Sequence, residues 1–365
     1  MKKLMLVVGL ALAGCAQVAD RPSAAPAAIE KVTEAELRSL IAPLASDEFE
    51  GRLPGTRGET KTLAYLIDQL SSVGVQGASS SDHPWLQPFE LQSNRKLTPE
   101  RVAELMKNPH IPRGQVHFMV TSGNMPKFTT YNVVGRIPGH KSDGKIVLIM
   151  GHWDHLGICR PEGDEDRICN GAVDNASGVA AILAVAKRVR QMNLDRDVWF
   201  VITAGEEWGL FGAKAFAENP PLDLSTIVAA FNLDTIAVAP AGMPVAMVAE
   251  KNSPLEPMVI EAAKAVGREW DGDDEAYGFI NRQDGAALYE KGVPMIMAGG
   301  SFSDMKLLQD FLGGRYHSPD DELDDKIELG GAVEDANLHI ELVRRAASAN
   351  FNPIPRNKVD QETGG

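Results

Sequence analysis

From residue 131 onward, short apolar runs alternate with longer segments whose apolar positions recur every three to four residues. The runs YNVVGRI (131–137), KIVLIM (145–150), DVWFVITAG (197–205), STIVAAFNL (225–233), VAMVA (245–249) and VPMIMAGG (293–300) have the length of strands. Their near-continuous hydrophobicity predicts strands covered on both faces. Between and after them, NASGVAAILAVAKRVRQM, PLEPMVIEAAKAVG and AVEDANLHIELVRRAASA carry helical periodicity. Residues 31–75 read as helix, loop, helix: Thr33 is placed to cap the first helix with Glu36 three positions on, and Leu63, Leu66, Ile67 and Leu70 form one stripe of the second, which Gly74 ends. Residues 77–130 are less regular. LTPERVAELMKN is helix-like, but Pro and Gly break its flanks, so this stretch reads as a short insertion lying on a core. No internal repeat is visible. The pattern predicts an α/β fold: a three-layer sandwich with a central, mostly parallel mixed β-sheet flanked by helices.

The N-terminus follows a different pattern. MKKLMLVVGLALAGC has two lysines and then an apolar run too short to span a bilayer as a stable helix, which predicts an export signal over residues 1–14. Its end, LAGC, resembles a bacterial lipobox, which implies cleavage before Cys15 and a lipid on that sulfur. Residues 15–30, rich in Ala and Pro, then form a flexible tether, and 31–365 a single domain. By the sorting rules of such lipoproteins, Gln17 leans towards the outer membrane, facing the periplasm. Membrane attachment would run through the lipid alone.

Composition excludes little else. Asp and Glu outnumber Lys and Arg by 50 to 36, for a net charge of −14, which argues against a nucleic-acid surface. Cys159 and Cys169 bracket a short loop. An exported chain permits a disulfide between them, but the sequence leaves bonded and free thiols equally open. No GxSxG elbow or GxxxxGKS phosphate loop is present.

The chemistry lies where the strands end. KIVLIM leads into His152 and Asp154, DVWFVITAG into Glu206 and Glu207, and STIVAAFNL into Asp234. Asp174 precedes an apolar helix, and His317 lies in the loop RYHSPDDE between the last strand and the last helix. Each residue alone has an ordinary reading: a turn histidine, a helix N-cap, a solvated GEE turn. Asp234 is the exception, because a carboxylate closing an apolar run is partly buried and costly without a partner. Together the residues converge on the strand ends, where open α/β sheets bind ligands.

In order and spacing, GHWDHLG, GAVDNASGVA, GEEWGLFGA, FNLD and YHSPDD resemble the M28 zinc peptidases, as do EFEGRLPGTRGE, NVVGRIPG and NRQDGAALYEKGVP. The likeness covers most of residues 31–345, with a reduced 77–130 segment and with Gln283 where that family's late motif usually has Ser. It implies two zinc ions. Asp174 would bridge them, His152 and Asp234 would complete one ion, and Glu207 and His317 the other. It further implies Glu206 as general base, Asp154 as a supporting carboxylate that holds the His152 ring, and a cis peptide bond after Asp174.

The donor chemistry agrees, since zinc in catalytic sites takes His nitrogen and carboxylate oxygen. Three carboxylates against two divalent ions leave one positive charge, which favours a hydroxide shared between the ions. Adjacent residues in an extended loop point apart, so Glu207 can bind metal while Glu206 faces the water. His155 is left with a loop-shaping part. Two substrate-binding candidates remain: Trp208, beside the glutamates, to line the pocket, and Tyr316, before His317, to hydrogen-bond the tetrahedral intermediate. The expected function is that of an exported aminopeptidase acting on peptide substrates. A carboxypeptidase or dipeptidase on the same scaffold, or a non-catalytic binding protein of that fold, is the alternative.

Overall fold

The computed structural model describes residues 29–92, 96–108, 111–141 and 143–353. Cys15, the export signal and nearly all of the tether lie outside the described residues. Among the described residues no helix is long and apolar enough to cross a membrane.

In chain order the strands are β1 (Gln76–Gly77), β2 (Leu86–Leu91), β3 (Phe128–Ile137), β4 (Ile146–His152), β5 (Gly157–Ile158), β6 (Ile168–Cys169), β7 (Asp197–Thr203), β8 (Ile227–Asn232), β9 (Ala246–Val248) and β10 (Met295–Gly299). The helices are α1 (Glu34–Leu44), α2 (Arg57–Ser72), α3 (Pro99–Leu105), α4 (Arg113–Asn124), α5 (Gly178–Val189), α6 (Phe211–Glu218), α7 (Glu256–Ala265), α8 (Gly285–Tyr289), α9 (Met305–Gly313) and α10 (Gly330–Ala346).

The main sheet runs β1-β3-β7-β4-β8-β10-β9, with β2 also paired to β3. Its centre, β7-β4-β8-β10, is parallel, and the flanking β1, β2, β3 and β9 pair antiparallel. Alternation along the strands supplies both faces. Val147 and Ile149 of β4, with Val198, Phe200 and Ile202 of β7, join the core under α1, α2, α5, α7 and α10. Leu148 and Met150, with Trp199 and Val201, join the smaller core under α6 and α8. The predicted three-layer architecture is therefore the observed one. Helix α5 lies between α1, α10 and the sheet, which is why its sequence is apolar on every side rather than on one stripe.

Two local expectations change. Thr33 does cap α1, accepting from the Glu36 amide at 3.3 Å, but the Glu36 carboxylate takes the buried Arg188 guanidinium (2.5 and 2.6 Å) instead of closing a capping box. The segment 77–130 is more than an insertion laid on the core. Its β2 pairs with β3 from Leu86–Val133 to Leu91–Phe128. Pro88 in β2 masks the strand pattern; a residue without an N–H is tolerated where a strand is paired on one side only. Helix α4 closes over the site: at Gly114 the backbone meets the carbonyl of His317 and the Sγ of Cys169 so closely that a Cβ has no room.

Candidate metal centre

The carboxyl ends of β4, β7 and β8 bring His152, Glu206 with Glu207, and Asp234 to one edge of the sheet, and the loops before α5 and α10 add Asp174 and His317. Two donor groups result, and Asp174 belongs to both. In the first, His152 Nε2 lies 3.2 Å from Asp174 Oδ1 and 3.5 Å from Asp234 Oδ1. In the second, His317 Nε2 lies 3.2 Å from Asp174 Oδ2 and 2.9 Å from Glu207 Oε2. Ligands about 2.0–2.1 Å from a tetrahedral zinc stand about 3.3 Å from one another. The spacing on both sides of Asp174 fits such an ion. The chemistry fits too, because His317 Nε2, although close to two carboxylates, is buried with no partner in hydrogen-bonding geometry among the described residues.

The electrostatics have the same origin. Burial alone would lower the imidazole of His152, but the carboxylates of Asp234 and Asp174 outweigh it and raise it well above the ordinary value. Burial lowers His317 likewise, yet Glu207 and Asp174 lift it to about 9. Against the penalty of burial, the same two histidines hold Asp174 well below the usual carboxylate range, and His317 and His155 bring Glu207 to about 2. Glu206 behaves oppositely: burial and the charges of Glu207, Asp234 and Asp284 push it well above the usual range. Neighbouring glutamates thus have opposite proton affinities.

Each supporting part is fixed by the chain. Nδ1 of His152 donates to the backbone carbonyl of Asp154 at 3.1 Å, which leaves Nε2 as the free donor. The sequence suggested the Asp154 carboxylate for this contact; it lies 3.7 Å away, and its Oδ1 instead accepts the Glu206 amide at 3.1 Å. The backbone turn after β4 brings the carbonyl nearer to the ring than the side chain. The Asp154 carboxylate thereby positions the Glu206 turn, and burial lifts it to about 8. The peptide bond between Asp174 and Asn175 is cis. His317 has φ of 54° and is stacked by Tyr316, ring centroids 3.6 Å apart.

Two residues at the site, Asp321 and Arg52, escaped the sequence reading, and a third, His155, has another part than the one read for it. His155 Nδ1 lies 2.7 Å from Glu207 Oε1, so it orients a carboxylate rather than merely shaping a loop. Asp321 accepts the amides of Val173 and Asp174 at 2.9 and 3.1 Å. Arg52, 1% exposed, donates to the carbonyls of Trp153, Leu44, Asn170 and Gly171. The second histidine of GHWDHLG, the second aspartate of SPDD and the arginine of EGRLPG were the available signals; none shows its partner in the sequence.

A cleft of about 500 Å³ opens onto the donors. His152, Asp174, Glu206 and Asp234 form its floor, and Phe279, Met297, Phe302, Leu308 and Leu312 its apolar wall, beside Arg282 and Tyr316. Tyr316 lines this cleft. Trp208 does not: it is 8% exposed and packs edge-on against Phe118 and Phe128, because the turn after Glu207 directs the indole into the core beneath α4. Gln283 reaches the cleft, but its amide is spent locally, donating to the Ile280 carbonyl (2.9 Å) and accepting from the Gly285 amide (2.7 Å). Cys159 and Cys169 are joined, with Cα atoms 5.6 Å apart, and staple the β5–β6 ribbon.

The parallel core with donors at its strand ends defines a zinc-exopeptidase-like fold. It is shared with an aminopeptidase from Aneurinibacillus sp. strain AM-1 (TM-score 0.60, 16% identity, covering 89% of this chain and 97% of that one). It is shared also with BSAP, a zinc aminopeptidase from Bacillus subtilis (TM-score 0.61, 14% identity, 87% and 96%). The model of Peptidase family M28 matches residues 132–342, more than half of the chain, and the protein belongs to that family. A probable zinc metalloprotease of Pyrenophora teres f. teres is 31% identical over 212 residues, 56% of this chain and 42% of its own length. In seven curated relatives the match spans between 8% and 42% of the relative's own length.

Proposed function

We propose that the protein is a zinc metallopeptidase that holds two zinc ions and removes N-terminal residues from peptides. The observation that carries this reading is Asp174, whose two oxygens face two separate donor sets: His152 with Asp234, and Glu207 with His317. Zinc in these positions supplies Lewis-acid polarisation of the scissile carbonyl and a water made acidic enough to attack near neutral pH.

The chain's own residues do the rest. Glu206 lines the cleft without being spent on a cation, and its raised proton affinity suits a group that takes a proton from water and returns it to the leaving amine. Tyr316, its phenol held protonated by burial and by the surrounding carboxylates, can donate to the carbonyl oxygen as charge develops there. The apolar wall excludes water and receives a side chain of the substrate. Asp154 and His155 keep Glu206 and Glu207 in their separate tasks.

The LAGC sequence supports a further part of the reading: export, lipidation of Cys15 and a single peptidase domain tethered in the cell envelope, with the Cys159–Cys169 bond suited to that compartment.

The test is metal content of the purified protein, followed by hydrolysis of amino-acid anilides before and after chelation. Two equivalents of zinc and activity restored by zinc are expected. Cleavage confined to the C-terminal end of peptides would replace the aminopeptidase by a carboxypeptidase, and absence of both zinc and turnover would leave a binding protein. In Glu206→Gln, zinc is retained and kcat falls at least about 10²–10⁴-fold; a near-wild-type rate removes Glu206 from the chemistry.

A further inference from the structure

Beside the cleft lies a second hollow of about 450 Å³, lined among others by Arg113, Arg160, Leu312, Ser318 and Asp320. It is not a separate region of the surface. Leu312 also lines the metal cleft, and Ser318 directly follows the donor His317. Arg113 opens α4, the helix packed on the His317 loop, and Arg160 follows Cys159 of the stapled ribbon. Two arginines therefore reach the hollow from elements that pack near the centre, α4 against the His317 loop and the ribbon joined by the disulfide.

Neither arginine has a carboxylate within ion-pairing distance among the described residues. That is notable in a chain of net charge −14, and it holds even though Asp320 lines the same hollow. The Asp320 carboxylate is engaged with Ser318, whose hydroxyl lies 3.4 Å away and accepts the Asp320 amide at 3.1 Å. With one acid facing two cations, the hollow has a positive balance next to a cleft whose floor is otherwise acidic. A planar guanidinium pairs with carboxylate through two parallel hydrogen bonds, so this arrangement suits a planar anion.

Resting on the peptidase reading above, we infer that the Arg113–Arg160 hollow is a substrate subsite that takes a carboxylate of the bound peptide away from the cleaved bond. Two parts of a peptide carry that group: the α-carboxylate of a short peptide and the side chain of an acidic residue in a longer one. The hollow gives the enzyme a preference for acidic or very short peptides, separate from the side-chain preference set by the apolar wall.

The experiment uses the zinc-loaded, full-length protein and three tripeptides of one parent sequence: the free acid, its C-terminal amide, and the amide with Glu at the last position. Wild type is expected to cleave one or both carboxylate-bearing peptides about tenfold better in kcat/KM than the neutral amide, mainly through KM. The preference should weaken as salt is raised. Arg113→Gln/Arg160→Gln should abolish it while leaving kcat for the neutral amide unchanged. A preference for the free acid identifies the α-carboxylate, and one for the Glu amide identifies the side chain. Equal rates for all three in wild type, or a preference that survives the double substitution, overturns the subsite. If wild type cleaves none of them, the peptidase reading fails for these substrates, and calorimetric titration of the free acid and amide into both proteins decides the subsite alone. Tighter binding of the acid, lost in the double variant, supports it; equal binding overturns it.

Discussion

His155 Nδ1 donates to Oε1 of Glu207 at 2.7 Å, while the other oxygen of the same carboxylate lies 2.9 Å from His317 Nε2. One oxygen is held by the protein and the other faces the His317 ring, where the proposed cation would sit. An oriented, hydrogen-bonded carboxylate binds metal better than a free one, and outer partners of this kind are worth about 10–100-fold in affinity. His155→Ala should therefore weaken binding at the Glu207–His317 position by that factor, measured by competition with a chromophoric chelator. Unchanged affinity at both positions would exclude the role.

Arg52 joins the loop after β4 to the loop before Asp174. Its donors reach the carbonyls of Trp153 (2.9 Å) and Gly171 (3.0 Å) as well as those of Leu44 and Asn170. Burial lowers its proton affinity to about 10, with nearby carboxylates opposing the shift, so it stays charged at neutral pH. Arg52→Met leaves buried carbonyls unpaired and should cost about 3 kcal/mol or more. Arg52→Lys should recover only part, because an ammonium has three donors and cannot span four carbonyls. Urea unfolding of the three proteins gives the comparison.

The Cys159–Cys169 bond closes a sequence separation of 10 residues. Constraining a loop of that length in the unfolded chain contributes about 2–3 kcal/mol. The Cys159→Ser/Cys169→Ser protein should melt several degrees lower, and thiol reductant should lower the melting temperature of wild type but not of the variant.

His339 supplies a pH dependence remote from the metal centre. Its ring is fully buried, Nδ1 donates to the Asp335 carbonyl at 2.8 Å, and Phe231 packs edge-on to it. Burial lowers its pKa to about 4, and the charge of Arg268 adds to this against the opposing hydrogen bond. The unfolded chain protonates this group below about 6.5 and the folded protein only near 4, so its contribution weakens stability progressively as pH falls through that window. The full effect is about 3 kcal/mol. His339→Phe should flatten the difference in unfolding free energy between pH 7 and pH 4.5 relative to wild type; an unchanged slope would count against the assignment.

The central strands and α5 were legible because full burial leaves an unmistakable apolar run, as in KIVLIM and GVAAILAVAKRV. His152, Glu206, Glu207 and Asp234 stand out because each closes or follows such a run, whereas Asp174 and His317 lie in loops and are marked only by the motifs around them. Strand β2 was not, since Pro88 interrupts its pattern and the pairing that fixes it comes from β3, about forty residues on. Helix α9 was also passed over, although Asp304 caps it through the amides of Lys306 and Leu307 and its apolar positions are periodic.

The layered α/β fold and the side chains at the strand ends follow from hydrophobic period and chain order, which are local properties. How those side chains share their work emerges only on packing: the Asp154 carbonyl and not its carboxylate holds His152, His155 steadies Glu207, and Trp208 turns into the core. Those outcomes depend on distances between loops far apart in the chain, which only the packing of the sheet and its helices fixes.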